Sequence, residues 1–391
     1  MGLSAIPIPV LDMFEITERQ SSSLTLNVNS AGIKRMNALA LSALTISSFT
    51  GTPATHLDEH EWRTLDREIE RLNSIPAEDK SAPQLSAWIK TSYDYSEDFQ
   101  TAGSDTSGVK FQGIRVTLKG KVGDFELKVS IDGASGGVGG PVTIKDAYAR
   151  LPLGGDVHAQ AGQFKAPFLS TSVESDEKLI FYDRSTQGAI WGGRESGVQL
   201  DGQHGPFGWY AAVQNGGDAV AERSLVIGRA TLAIVGEPIP MKQSGNFGTQ
   251  SPTRLQLAAA VADEGTLTDG TVYAGELTLL TGPVYAQLEV LDYGRDFIAG
   301  SVTQGNAAKA SGLADTTPYG ATVGVMLGAK NELAARFEEA EDGNDTQRIW
   351  LGYTHYVEGH AVKWQANWIR ATSDTAAIEG DIYKVGLTLA L

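Results

Sequence analysis

The sequence predicts an all-β fold, a 16-stranded antiparallel transmembrane β-barrel with a short N-terminal helix, and three observations carry that reading. From Pro83 to Leu391 the apolar residues recur with period two, as in the last strand, where Tyr383, Val385, Leu387, Leu389 and Leu391 share one face. Lys384, Gly386, Thr388 and Ala390 share the other. Most alternating segments hold about 8–12 residues, the length of a tilted membrane strand and longer than the ~5–6 of soluble strands. Their connections alternate between very short and long, the layout of a barrel with turns at one rim and loops at the other.

The chain before the barrel divides in two. Lys34-Arg35-Met36 precedes a modestly apolar run, Asn37 to Phe49, and then Thr50-Gly-Thr-Pro-Ala54. That is the order of a secretory signal: basic region, short apolar stretch, small residue at the cut. Residues 1–54 are therefore expected to be a leader and signal peptide, with Met36 the expected true start. From 55 to 82, Trp62, Leu65, Ile69 and Leu72 fall at heptad-type spacing among charged residues. This predicts a short periplasmic helix or coiled coil, with Pro76 and Pro83 ending it. Two heptads are marginal alone in water, so such a segment fits an oligomer.

Strands are expected near 84–95, 110–120, 123–132, 142–151, 156–164, 194–202, 207–214 and 224–234, and again near 252–262, 271–280, 283–292, 319–328, 331–340, 346–356, 361–371 and 381–391. Alternation sets Leu255, Leu257, Ala259 and Val261 opposite Arg254, Gln256 and Ala258. It sets Val362, Trp364, Ala366 and Trp368 opposite Lys363, Gln365 and Asn367. A soluble sandwich would show the same alternation, and it is the strand count and connection lengths that favour the barrel. Two connections break the rule: 235–251 is long where a turn is due, and 341–345 is short where a loop is due.

Composition narrows function. With 31 Lys+Arg against 47 Asp+Glu the 391-residue chain carries −16, which repels nucleic acid and anionic headgroups. The absence of cysteine excludes disulfides, thiolate catalysis and Cys-ligated metal. No run of about 20 apolar residues exists to make a transmembrane helix.

The longest early connection, 165–193, is the expected constriction loop, because a barrel of this size can admit a loop into its lumen. Its candidate pore residues are Lys165, Lys178, Arg184, Arg194, Glu174 and Asp176. Leu179-Ile180-Phe181-Tyr182 within it is too apolar to be wholly solvated. Lumen candidates on the polar strand faces are Arg115, Lys119, Arg150, Arg229, Arg254, Arg336 and Lys363, joined by Lys90 and Lys128. The acids Asp94, Glu126, Asp132, Asp146, Glu276, Glu289, Glu332 and Glu338 share those faces, so neither sign dominates. Tyr and Trp near strand ends, namely Trp88, Tyr93, Tyr95, Trp209, Trp350, Tyr353, Tyr356, Trp364 and Trp368, fit an aromatic girdle.

Catalytic patterns do not hold up. His56-Leu-Asp-Glu-His60 matches H-x-x-E-H but lacks a partner acid, and Gly133-Ala-Ser-Gly-Gly137 lacks the helix that must follow a nucleophile elbow. Glu338-Glu-Ala-Glu-Asp-Gly-Asn-Asp345 lacks EF-hand spacing and reads as a solvated hairpin tip.

Three segments resemble the phosphate-selective porin O/P family of bacterial outer-membrane porins. They are Gly162-Gln-Phe-Lys-Ala-Pro-Phe168 with Asp183-Arg184 and Arg194-Glu-Ser-Gly-Val198; Tyr210-Ala-Ala-Val-Gln-Asn-Gly216; and Glu332-Leu-Ala-Ala-Arg336 with the run Arg348 to Asn367. Leu391 stands where the family usually has Phe. The resemblance implies a homotrimeric channel in outer-membrane lipid that passes ions or small solutes, anions such as phosphate included, with no catalysis, cofactor or nucleic acid. A surface or secreted β-rich binding protein is the other class the alternation admits.

Overall fold

The computed structural model describes residues 82–97, 106–133, 141–216, 224–247, 251–263, 270–298, 307–374 and 379–391. Contacts divide the chain after Pro76, and all of these residues belong to the unit Ala77–Leu391. The expected leader, the expected helix and the His56–His60 motif lie outside the described residues, as does Ser135.

The described residues form sixteen strands: β1 (Gln84–Glu97), β2 (Thr106–Val122), β3 (Phe125–Gly133), β4 (Thr143–Gly154), β5 (Val157–Lys165), β6 (Arg194–His204), β7 (Phe207–Gln214), β8 (Leu225–Val235), β9 (Ser251–Asp263), β10 (Val272–Gly282), β11 (Val284–Tyr293), β12 (Tyr319–Met326), β13 (Asn331–Glu339), β14 (Gln347–Glu358), β15 (Val362–Thr372) and β16 (Gly380–Ala390). Every strand pairs antiparallel with its sequence neighbours, and β1 pairs with β16 from Trp88↔Ala390 to Glu97↔Asp381. The sheet therefore closes, which leaves no unpaired edge, a necessity where lipid offers no hydrogen bonds. Every expected strand is present, most within two residues of the expected limits, and β2 is the chief extension because its loop-side end runs on to Thr106.

The period-two pattern decides which way each residue faces. On β11, Leu288 and Val290 are exposed while Gln287 and Glu289 are buried, and on β16 the inward Lys384 and Thr388 are buried beside exposed Tyr383 and Val385. Leu, Val and Ile thus cover the outside, and polar groups with glycine line the inside. Short links join β2–β3, β4–β5, β6–β7, β10–β11, β12–β13 and β14–β15 at one rim. Gly123 and Gly205 take φ of 61° and 55° in two of these turns, a backbone that side-chain-bearing residues adopt at a cost.

The segment between β8 and β9 is long because it is not a simple turn. It folds into the barrel, burying Ile239, and the Asn246 side-chain amide donates to the carbonyls of Gly282 (2.6 Å) and Val284 (3.3 Å). Some residues read as girdle aromatics face inward, among them Trp88, which shares the phase of buried Lys90 and Ser92 on β1 and lines the lumen. Trp350 and Tyr356 alternate in phase with Gly352 and Thr354, so Trp350 meets Phe181 and Tyr356 stacks on Phe247. Tyr93, Tyr353 and Trp364 do face outward.

Since Leu288 is 54% exposed on the outer face near the middle of β11, Leu288→Arg is expected to destabilise the barrel by about 2–4 kcal/mol, read by denaturant unfolding in lipid vesicles.

Candidate functional site: a loop inside the barrel and the cavity it leaves

Between β5 and β6 the chain turns inward instead of leaving the barrel. It contains two short helices, α1 (Ser170–Val173) and α2 (Thr186–Ile190), with a 3-10 turn at Asp176–Lys178 between them. Ser185 caps α2 by accepting from the Gly188 backbone N–H at 3.0 Å. A loop placed here carries backbone groups with no ladder to join, so side chains on the barrel wall must satisfy them.

They come from around the wall. Lys363 donates to the Leu179 carbonyl (2.7 Å) and Lys90 to that of Tyr182 (2.6 Å). Gln365 reaches the carbonyls of Leu179 and Ile180, and Asn367 accepts from the Tyr182 N–H at 2.8 Å. Lys384 pairs with Asp183 and, at 3.5 Å, with Asp94. Glu276 accepts from Ser170, Glu289 from Thr171 and Glu338 from the Thr186 N–H. Shape adds to this. Ile180, Phe181 and Tyr182 sit on Gly324 of β12, Gly352 of β14 and Gly386 of β16, where any Cβ would collide with the side chain above it.

Two apolar clusters fill the space beside the loop. Phe168, Leu169, Ile190 and Trp191 pack on inward residues of β7 to β11, including Leu225, Ile227, Ala262, Val272 and Tyr293. Ile180 and Phe181 pack on Ile239, Leu280, Tyr285, Trp350 and Ile369. This half of the lumen is a packed core, which the apolar run 179–182 needs to bury its surface.

Along β1 to β7 the lumen stays open as a cavity of about 560 Å³, running from the inner loop toward the short-turn rim. Strands contribute Arg115, Lys119, Lys128, Arg150, Lys165 and Arg194, the loop contributes Lys178, and the segment between β8 and β9 contributes Lys242. Glu126, Asp146, Glu174, Glu177 and Asp201 are the acids of the lining, so eight cations face five anions.

Much of that charge is paired. Arg115 donates to Asp132 and Asp176, each at 2.9 Å, and Asp176 also receives Arg184 at 2.8 Å. Asp146 lies between Lys128 (2.6 Å) and Arg194 (3.2 Å), and Arg150 forms two 2.6 Å bonds to Asp201. Lys119, Lys178 and Lys242 have no ion-pair partner among the described residues. Lys165 donates only to the carbonyls of Ser172 (2.7 Å) and Glu174 (3.0 Å). Burial would disfavour ionised Asp176, but Arg184 and Arg115 outweigh it and hold its carboxyl well below the usual range. For Glu174 burial wins over the pull of Arg184 and Arg336, raising it to about 7.

The sequence candidates therefore separate by position. Lys165, Lys178, Arg194, Glu174, Arg115, Lys119 and Arg150 line the cavity. Arg184 instead folds back onto the carbonyls of Thr171 (2.8 Å) and Glu174, and Asp176 lies between it and Arg115. Arg229 donates to the Phe168 carbonyl at 2.6 Å and pairs with Glu276. Arg336 lies over the ring of Phe181 at 4.5 Å, Lys363 holds Leu179, and half-buried Arg254 stands beside the segment at Gly236. Lys242 was not foreseen from sequence, although the excess length of 235–251 was the available signal.

A closed barrel of sixteen antiparallel strands with a loop folded inward over a charged, water-accessible cavity is the architecture of porins. Solved structures share it: an anion-selective porin from Comamonas acidovorans (TM-score 0.54, 15% identity, 79% of this chain and 99% of that one), a complex of Salmonella typhi OmpF with daunomycin (0.54, 12%, 80% and 98%) and a mutant of Rh. blastica porin (0.51, 13%, 79% and 100%). At these identities the likeness is one of fold. Comparison with curated proteins gave no match. Within the class, residues 85–230, from β1 into β8, match the family model Phosphate-selective porin O and P, the family to which the sequence motifs point. The motifs at 332–367 lie beyond the matched stretch.

Two outcomes follow from the site. Gly386→Val removes the seat of Tyr182 and is expected to raise single-channel conductance without loss of β-sheet circular dichroism. As pH falls through about 7, protonation of Glu174 removes one negative charge from the cavity, so the cation-to-anion permeability ratio should fall, and Glu174→Gln should abolish that step in the reversal potential.

Proposed function

We propose that the chain forms a passive, water-filled channel in the bacterial outer membrane through which small anions pass, phosphate among them, and that it works as a homotrimer. One observation carries the anion reading: a chain of −16 overall lines its cavity with eight cations against five anions. Low-dielectric walls focus such a field, so the local surplus, not the distant surface charge, sets which ion enters. The apolar outer face, with Leu200, Leu232, Leu257 and Val385 exposed, suits lipid and disfavours a soluble binding protein. Residues 1–54 serve in this reading as the export leader and 55–82 as a periplasmic helix.

The mechanism needs no covalent step. The inner loop blocks the half of the lumen under β8 to β16, and solutes cross along β1 to β7 between Arg194 and Lys165 at the loop and Lys119 and Lys242 at the short-turn rim. Paired cations such as Arg150 are held by their carboxylates, while the lysines without one present mobile charge to the passing ion.

The test is the reversal potential of the detergent-purified protein in a planar bilayer under a salt gradient, which should have the sign for anions and appear in steps of three channels. Lys165→Glu and Arg194→Glu should each move it toward cations with the barrel folded. Arg184→Glu should alter conductance more than selectivity, since Arg184 holds the loop. Cation selectivity in the wild type would reject the anion reading.

A further inference from the structure

Resting on the channel reading above, we propose that the cavity is fitted to organic anions with an aromatic or planar apolar body, aromatic carboxylates as a class, in preference to inorganic oxyanions. The cations of the open half do not stand alone. Trp88 lies under the Arg115 guanidinium at 4.8 Å, and Tyr148 lies 5.7 Å from the Lys128 ammonium. Phe164 meets Tyr148 edge-on at 6.3 Å, and Tyr210 is registered opposite Asp201, the partner of Arg150. Trp88, Tyr148 and Tyr210 are half-buried and line the cavity, so each keeps part of its ring available.

Apolar groups also enter the lining from the loop and from the segment between β8 and β9, beside Glu174, Glu177, Lys178 and Lys242. Pro167 and Val173 of the loop and Met241 of the segment between β8 and β9 stand across from these strands. The cavity therefore offers aromatic rings and small apolar surfaces set among its charges, with ammonium groups at Lys178 on the loop and at Lys119 and Lys242 toward the rim.

Phosphate can use the charges of such a lining but not its rings. Its oxygens point in every direction, and each one turned toward Val173, Met241 or an aromatic face loses water without gaining a donor. An aromatic carboxylate places its charge at one end, where a lysine can receive it, and lays its ring on Tyr148 or Trp88. Such a ligand can use a ring face and, in the same cavity, one of the lysines that have no carboxylate partner.

The test uses the full-length protein in a planar bilayer carrying chloride current, with benzoate and inorganic phosphate added as blockers. Benzoate is expected to reduce the chloride current at a concentration about tenfold below that of phosphate, a difference the size of one good aromatic contact with its buried area. Tyr148→Ala should weaken benzoate block about tenfold and leave phosphate block unmoved, and Tyr148→Phe should restore it. Trp88→Ala gives the same comparison at a second ring should Tyr148→Ala fail to fold. Phosphate blocking at or below the benzoate concentration, or benzoate block unchanged in folded variants lacking these rings, overturns the inference while the channel stands. Folded protein that passes no chloride overturns the channel reading, and the inference with it.

Discussion

Everything about the lumen depends on one demand: the backbone of an inward loop must find hydrogen-bond partners where no sheet supplies them. Lys90 and Lys363 meet it by giving their ammonium groups to the carbonyls of Tyr182 and Leu179, and Lys363 is wholly buried in doing so. A buried ammonium without such acceptors, or a buried carbonyl without such donors, would each cost several kcal/mol, so loop and wall are stable only together. The residues that look like pore charges on a strand face are therefore partly scaffolding. What remains for passing solutes is the charge that the loop does not use.

That division resolves the apparent mismatch between an acidic chain and a cavity lined by more cationic than anionic side chains. Asp176, Asp146, Asp201 and Asp132 spend their charge on Arg115, Arg184, Arg194 and Arg150, and Glu276, Glu289 and Glu338 accept from α1 and α2. Net charge is a property of the whole surface, whereas permeation responds to the few groups lining a narrow passage. Lys119, Lys178 and Lys242 are those groups here.

The barrel was legible because its physics is local: a strand wetted on one face and lipid-bathed on the other must alternate, and alternation can be counted. The inward course of 165–193 was legible from its length in a barrel wide enough to admit it and from the apolar run Leu179–Tyr182, which a wholly solvated segment would not carry. What the sequence hid was pairing at a distance. Nothing near Gly324, Gly352 or Gly386 reveals that three successive loop side chains rest on them, because the contact joins positions that become neighbours only when β12, β14 and β16 lie side by side. For the same reason Arg229, Arg336 and Lys363 were assigned to the correct face but not to the loop. Trp350 was assigned by its place near a strand end, although the phase of its own strand turns it inward.

The loop tip also lies across the seam where the first strand meets the last. Lys90 of β1 holds the carbonyl of Tyr182, Lys384 of β16 holds Asp183, and Tyr182 rests on Gly386 of β16, so one short stretch of loop fastens both sides of the closing pair from within. The seat for the loop is therefore complete only in a closed cylinder. Closure of the wall and placement of the loop are thus coupled: parting the seam would separate the partners that hold Tyr182 and Asp183.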